Sequence, residues 1–303
     1  MDDPTPPRVG VLGVGRMGLP ICRRLLASGF AVSVHDVDTE ARAGAAAIGA
    51  AVVSDAESLA ARSDILVSVL PGVAEIRAAF VGDAGLLRHL PEGALWLDLT
   101  SGDPVLTNEL SAIAAEYGVR TATATMGGGP ANAEDGTLVF HLAGADDAVA
   151  DARVLLGPLA SPGGVRLVGP VPSDAQTVKL LANLLWFGQV VAVSEALMLG
   201  ERLGMAPDAL GDALVGSAGG SRFLDLHLAP LLAGDYSADF GFDRVVEELQ
   251  TVSRIADSTS TPFELSRLVT RLHEQALEHF GPRDSETLVA ALLRERAAAP
   301  PAR

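Results

Sequence analysis

Short apolar runs separated by alanine-rich stretches fill the first half of the chain. Residues 8–12, 31–35, 65–70, 94–97, 119–124 and 138–142 are short, mostly apolar runs, and each reads as a candidate buried strand. The stretches between them read as helices. Strands alternating with helices predict an α/β fold: a doubly wound, mostly parallel sheet with helices on both faces. Gly169-Pro170-Val171-Pro172 breaks the pattern. Ser173 with Gln176 three residues later has the form of a capping box, which opens a helix able to run to Gly204, about 45 Å at the usual rise. Only helical periodicity follows, over 207–215, 223–232, 243–256, 262–280 and 285–296. The expected division is an α/β domain over 1–170 and an all-α domain over 171–303.

Composition narrows the function. The 303 residues are 49% hydrophobic and carry a net charge of −16. That acidity argues against a nucleic-acid or anionic-membrane surface, which needs a basic patch. The single cysteine, Cys22, rules out disulfide frameworks and cysteine metal clusters and reads as a small core residue. The acidic, proline-rich start has no signal-peptide pattern, so a cytoplasmic location is expected. Residues 180–199 are apolar enough to span a bilayer. Asn183, Gln189, Ser194 and Glu195 interrupt them, so the segment reads as a helix buried on most sides, within one domain or a dimer.

Gly13-Val14-Gly15-Arg16-Met17-Gly18 follows the first strand and opens the first helix. Asp36 stands 23 residues after Gly13, where the second strand ends. A G-x-G-x-x-G turn in that context is a dinucleotide-binding fingerprint. The first glycine turns the chain, the second admits a pyrophosphate, and the third packs helix on strand. Asp36 would hold the adenosine ribose hydroxyls and repel a 2′-phosphate, which favours NAD over NADP. Arg42 lies a turn further on.

Lys179 is the only lysine among 22 basic residues, and Asn183 is one of three asparagines. At i and i+4 they share a helix face. An arginine cannot replace a lysine where a proton must move, because the guanidinium stays protonated. Lys179 is therefore the candidate general acid/base, with Asn183 beside it.

The order of these motifs, with Leu70-Pro71, the run 98–104 (Asp-Leu-Thr-Ser-Gly-Asp-Pro) and Gly127-Gly128-Gly129, resembles the β-hydroxyacid dehydrogenases. These are the 3-hydroxyisobutyrate dehydrogenase-like relatives of 6-phosphogluconate dehydrogenase. The resemblance covers nearly the whole chain. It implies a Rossmann domain followed by a helical domain, a homodimer or homotetramer, and an NAD-dependent oxidoreductase acting on a small hydroxy acid or related alcohol. It implies catalysis by Lys179 and cofactor contacts from Leu70, Pro71 and Thr100. Substrate contacts would come from Thr100, Ser101, Asn183 and the glycines at 127–129, with Phe240 either lining the pocket or packing in the core. The sequence departs from the family in four places, one of them the approach to the lysine, where Ser173 and Ala175 replace the two glycines of Gly-x-Gly-x-x-x-Lys. Gly127 replaces a serine. Thr123-Ala124-Thr125-Met126 replaces Asp-Ala-Pro-Val. Glu247-Glu248-Leu249 replaces Lys-Asp-Leu, so Glu247 would reverse a charge near the substrate and disfavour a plain carboxylate. Two alternatives are an imine-reductase-like or reductive-aminase-like enzyme and a non-catalytic dinucleotide-binding protein. Lys179 speaks against both, since such relatives generally lack that lysine.

Overall fold

The computed structural model describes residues 7–81, 85–237 and 240–298. It divides into two compact units, Met1–Lys179 and Leu180–Arg303. The division falls inside one continuous helix, nine residues beyond the expected boundary at 170.

The first unit is built on an eight-stranded sheet of order β3-β2-β1-β4-β5-β6-β7-β8. The strands are β1 (Val9–Leu12), β2 (Val32–His35), β3 (Ala51–Val52), β4 (Ile65–Ser68), β5 (Leu95–Asp98), β6 (Arg120–Gly127), β7 (Leu138–Gly144) and β8 (Ala160–Gly169). All pairs are parallel except β6 with β7. The central strands are fully buried because successive side chains enter two different cores. Ile65 and Val67 of β4 join one cluster while Leu66 joins the other; Leu95 and Leu97 of β5 are separated from Trp96 in the same way. Helices α1 (Gly18–Ala27) and α7 (Asp146–Leu156) cover the first face. Helices α3 (Ala56–Ala61), α4 (Val73–Phe80) and α5 (Pro104–Glu116) cover the second. Helices α2 (Thr39–Ala47) and α6 (Pro130–Asp135) complete the unit.

Two strands carry no signal in the hydrophobic pattern. Strand β3 is two exposed residues at one sheet edge. Strand β8 forms the other edge; its Ser161, Pro162, Gly163 and Gly164 make it polar and irregular, with register shifts against β7. These two edge strands bury little, so they escape a reading based on apolar runs.

Helix α8 runs over Pro172–Arg202. Its start corrects the capping-box expectation. Ser173 is already helical, and the cap is made by Asp174, whose carboxylate accepts from the Val171 N–H at 3.1 Å. The second unit holds the rest of α8 with α9 (Pro207–Val215), α10 (Arg222–Ala233), α11 (Phe242–Ser258), α12 (Glu264–Phe280) and α13 (Leu288–Ala298). Its core gathers Phe187, Phe223, Phe242, Val245 and Leu249. His273 of α12 is fully buried there, stacked on Phe242, and burial lowers its pKa to about 4.

Candidate active site

The sheet order reverses between β1 and β4, which opens a crevice at the carboxyl ends of these two strands. Gly13 turns the chain there with φ +92°, and a β-carbon on it would collide with the Val69 carbonyl. A β-carbon on Gly18 would strike the carbonyl of Gly13, so this glycine lets α1 close on β1. Gly15 points into open space, and no side chain caps the N-terminus of α1. An exposed helix start behind an open glycine is a site for an anion such as a pyrophosphate. Arg16 is exposed and Met17 half-buried in the same turn.

Asp36 is tied to this turn. One carboxylate oxygen accepts from the Val14 N–H at 2.7 Å and the other from the Asp38 N–H at 2.9 Å. Its carboxylate is thereby fixed beside the glycine turn with lone pairs remaining for ribose hydroxyls. Arg42 donates to the backbone carbonyls of Asp36 and Val37. Its guanidinium therefore braces the strand end. These residues fit the adenosine and pyrophosphate portions of a nicotinamide dinucleotide.

Behind Leu70 and Pro71 lies a buried polar chain. Trp96 Nε1 donates to the Ser68 hydroxyl at 2.9 Å, and that hydroxyl donates to Asp98 at 2.7 Å. The Thr100 N–H donates to the same Asp98 oxygen at 3.1 Å. The Thr100 hydroxyl accepts from the Leu70 N–H at 3.0 Å. Complete burial pushes the Asp98 carboxyl up to about 6, against the hydrogen bonds from Ser68 and Thr100 that favour its charge. Thr100 is itself buried, so its hydroxyl holds the Leu70 loop in shape. Ser101 is half-buried, and its hydroxyl has no partner among the described residues. Asp103 caps α5 through the Val105 N–H, with Pro104 at the first helical position, which accounts for that dipeptide.

Gln176 grips this loop from the first turn of α8. Its Oε1 accepts from the Gly102 N–H at 2.8 Å, and its Nε2 donates to the Thr100 carbonyl at 2.9 Å. The side chain is completely buried. At the preceding residue of the helix, the Thr125 hydroxyl donates to the Ala175 carbonyl at 3.1 Å. The start of α8, three residues before Lys179, is thus locked to the loop after β5 and to β6. The sequence pattern disguised Gln176 as a capping residue.

Lys179 is half-buried. Its charge is felt at His141 of β7, whose pKa is lowered first by burial and then by Lys179 and Arg166. His141 lies between Thr125 and Arg166 in the sheet register, and its Nδ1 is buried with no partner among the described residues. Nothing in the sequence reading singled it out. At the end of β6, Gly128 has φ +109°, and the Gly129 N–H is taken by Asn132 Oδ1 at 3.0 Å. That amide is not available to a substrate carboxylate in this arrangement, so the expected glycine cradle is reduced to Gly127 and Gly128.

In the second unit, Asn183 donates through Nδ2 to Glu248 at 2.5 Å. The carboxylate fixes which end of the amide faces it and leaves Asn183 Oδ1 as an acceptor. Glu247 is not a bare charge: Arg244 Nη1 reaches it at 2.8 Å along α11. The same guanidinium also faces Asp243 at 3.8 Å, so it offsets the charge of Glu247 only in part. Phe240 packs against the core of the unit. Among the described residues, no cluster of His, Cys, Asp and Glu could hold a metal ion.

Such a fold and glycine turn define a protein with a dinucleotide-binding Rossmann domain followed by a helical domain. Residues 8–169 match the NAD binding domain of 6-phosphogluconate dehydrogenase, and residues 173–293 match the NAD-binding domain of NADP-dependent 3-hydroxyisobutyrate dehydrogenase. The mitochondrial 3-hydroxyisobutyrate dehydrogenase of Bos taurus is 30% identical over 265 residues, covering 85% of this chain and 78% of its own. NAD-dependent L-serine dehydrogenase of Pseudomonas aeruginosa is 27% identical over 280 residues, covering 89% and 92%. The solved structure of 3-hydroxyisobutyrate dehydrogenase from Mycobacterium tuberculosis with L-serine superposes with a TM-score of 0.86 at 23% identity, covering 95% and 99%. The chain belongs to the β-hydroxyacid dehydrogenase family, the 3-hydroxyisobutyrate dehydrogenase-like branch of the 6-phosphogluconate dehydrogenase superfamily.

Proposed function

We propose that the protein is an NAD-dependent dehydrogenase that oxidises a small hydroxy acid or related alcohol at its CH–OH carbon, and reduces the corresponding carbonyl in reverse. The family membership supports the reaction class. The nicotinamide dinucleotide, when bound, supplies the hydride acceptor. The residues of the chain supply the rest. Lys179 takes the hydroxyl proton in oxidation and returns it in reduction. Asn183 orients the substrate through Oδ1, held by Glu248. Ser101 offers a hydroxyl, and Gly127 and Gly128 offer backbone amides. Asp36 selects NAD by accepting from the ribose hydroxyls.

The observation that carries this reading is the placement of the only lysine. Lys179 follows the buried Gln176 clamp by three residues, at the start of a helix locked to the loop after β5. Imine-reducing and non-catalytic relatives generally lack that lysine, so its presence favours the dehydrogenase reading. The same reading carries a homo-oligomeric assembly, a dimer or tetramer, supported by an exposed apolar face of α8.

The test is a panel of hydroxy acids, alcohols and amino acids assayed with NAD and NADP by the absorbance of reduced cofactor. On the best substrate, Lys179→Ala should lower turnover by roughly 10²–10⁴ while NAD binding stays within a few-fold. Lys179→Arg should fail equally, since it keeps the charge without the proton transfer. An Arg variant with near wild-type turnover removes Lys179 from the role.

A further inference from the structure

The two faces of the sheet differ in kind across β6, β7 and β8. On one face Ala122 and Ala124 of β6 and Leu138, Phe140 and Leu142 of β7 enter the apolar core. The other face is polar. Thr125, His141 and Arg166 stand in one row across the three strands, because Thr125 is registered on His141 and His141 on Arg166. Neighbours in such a row carry their β-carbons about 5 Å apart on the same side. The Thr125 hydroxyl donates to the Ala175 carbonyl, so the first turn of α8 lies over this row. Lys179 follows Ala175 by four residues, on the same side of the helix. Gly127, paired with Val139, lies two residues along β6 from the row, about 7 Å away. All of these residues belong to the first unit.

The row is basic and unpaired. Arg166 is exposed, and neither it nor Lys179 forms an ion pair with a carboxylate among the described residues. His141 is half-buried, with Nδ1 enclosed and unpartnered among those residues. An enclosed N–H with no acceptor is costly, so the neutral ring carries its proton on Nε2. The charged groups that act on this ring are Lys179 from α8 and Arg166 from β8; both add to burial in disfavouring its protonation. A row of donors with no acid beside it, in a chain of net charge −16, suits an anionic ligand. The end of β6 offers such a ligand little. Gly127 and Gly128 bring no hydroxyl, and the Gly129 amide is taken by Asn132.

We propose that His141 and Arg166 form the subsite that holds the carboxylate of the substrate, with His141 Nε2–H and the Arg166 guanidinium as donors and the hydroxyl left to Lys179. This rests on the reaction proposed above and names its substrate class: a hydroxy acid, not a neutral alcohol. The guanidinium presents two parallel donors to a carboxylate, and the anion offsets the like charges of Lys179 and Arg166.

Two probes that differ only at the anion are 3-hydroxyisobutyrate and 2-methyl-1,3-propanediol. Wild type should favour the acid in kcat/KM, and Arg166→Gln should cut the acid-to-diol ratio by roughly tenfold or more, chiefly through KM. Arg166 is exposed on an edge strand, so this variant keeps the fold. Binding is read without turnover in the presence of NADH, where acid and cofactor are both reduced. The His141 imidazole resonance, assigned by its loss in His141→Gln, should titrate about one pH unit higher with the acid than without it, because an adjacent anion favours the charged ring. The diol should leave it in place. An acid-to-diol ratio unchanged in Arg166→Gln, or a His141 midpoint unmoved by the acid, overturns the subsite, while turnover of the acid leaves the dehydrogenase reading intact. A chain that oxidises neither probe, yet whose His141 midpoint rises with the acid, overturns the reaction and keeps the anion subsite. A midpoint that rises with inorganic phosphate and not with the acid gives the row to another anion and overturns the assignment.

Discussion

At the scale of single residues, Gln176 and Asp36 act through what they hold. Gln176 presents one acceptor and one donor to a backbone N–H and C=O two residues apart, and it is completely buried. Gln176→Leu keeps much of the shape and leaves both backbone groups without partners. Each orphaned buried group costs about 1–3 kcal/mol, so denaturant unfolding should show a loss of roughly 2–6 kcal/mol. Turnover should fall with it, because the start of α8 carries Lys179; a variant within 0.5 kcal/mol of wild type, a margin of about the size expected for neutral surface changes, would show the clamp to be idle. Asp36 is held by the Val14 and Asp38 amides, so its charge faces the glycine turn in a fixed pose. NAD should be preferred over NADP in kcat/KM, and Asp36→Ser should narrow the ratio by removing the repulsion of a 2′-phosphate. An unchanged ratio, or a wild-type preference for NADP, places cofactor choice elsewhere. Gln176 was hidden from the sequence by its own spacing. Ser173-x-x-Gln176 satisfies a capping rule, and only the fold reveals that Asp174 makes the cap while Gln176 turns inward.

At the scale of elements, the end of β6 separates two neighbouring glycines with different reasons for being there. Gly128 has φ +109°, and a β-carbon on it would sit 2.9–3.0 Å from the Asn132 side chain. Gly127 has ordinary backbone geometry, and a β-carbon there would meet nothing closer than the Val139 carbonyl at 3.5 Å. Gly127→Ser should therefore fold with a melting temperature near that of the wild type, while Gly128→Ala should be destabilised by roughly 1–3 kcal/mol. Equal melting temperatures for the two variants would contradict the backbone geometry. Gly127 thus stands where folding does not require a glycine. Most elements were legible because the cause that forms them also marks the sequence. Strands β4 and β5 feed two cores and are apolar up to their last residues, Ser68 and Asp98; α11 and α12 bury one face and show it as a period. Strand β8 was not legible, since an edge strand built on Ser161, Pro162 and two glycines buries little. The exposed face of α8 was not legible either. A helix apolar all round carries no period to say which side is covered.

At the scale of the whole molecule, the two units carry opposite responses to pH. Asp98 lies in the first unit, with its carboxyl raised by burial to about 6. An unfolded aspartate titrates near 3.9. Between about pH 4 and 6 the folded chain therefore holds a proton that the unfolded chain has lost, and stability falls as pH rises, by at most about 1.4 kcal/mol per pH unit. His273 lies in the second unit, with its imidazole lowered by burial to about 4. An unfolded histidine titrates near 6.5. Here the unfolded chain holds the extra proton from about pH 4 to 6.5, so stability rises with pH over nearly the same window. If the chain unfolds in one step, the two slopes oppose and largely cancel. If the units unfold separately, the first should weaken and the second strengthen from pH 4 to 6. Asp98→Asn and His273→Phe separate the contributions. Relative to wild type, the Asn variant should gain stability as pH rises through that window, and the Phe variant should lose it. Calorimetry at pH 4, 5, 6 and 7 gives both differences. Parallel pH profiles for wild type and Asp98→Asn would mean that the carboxylate already ionises at its ordinary pKa, and that the Ser68 and Thr100 hydrogen bonds offset the cost of its burial.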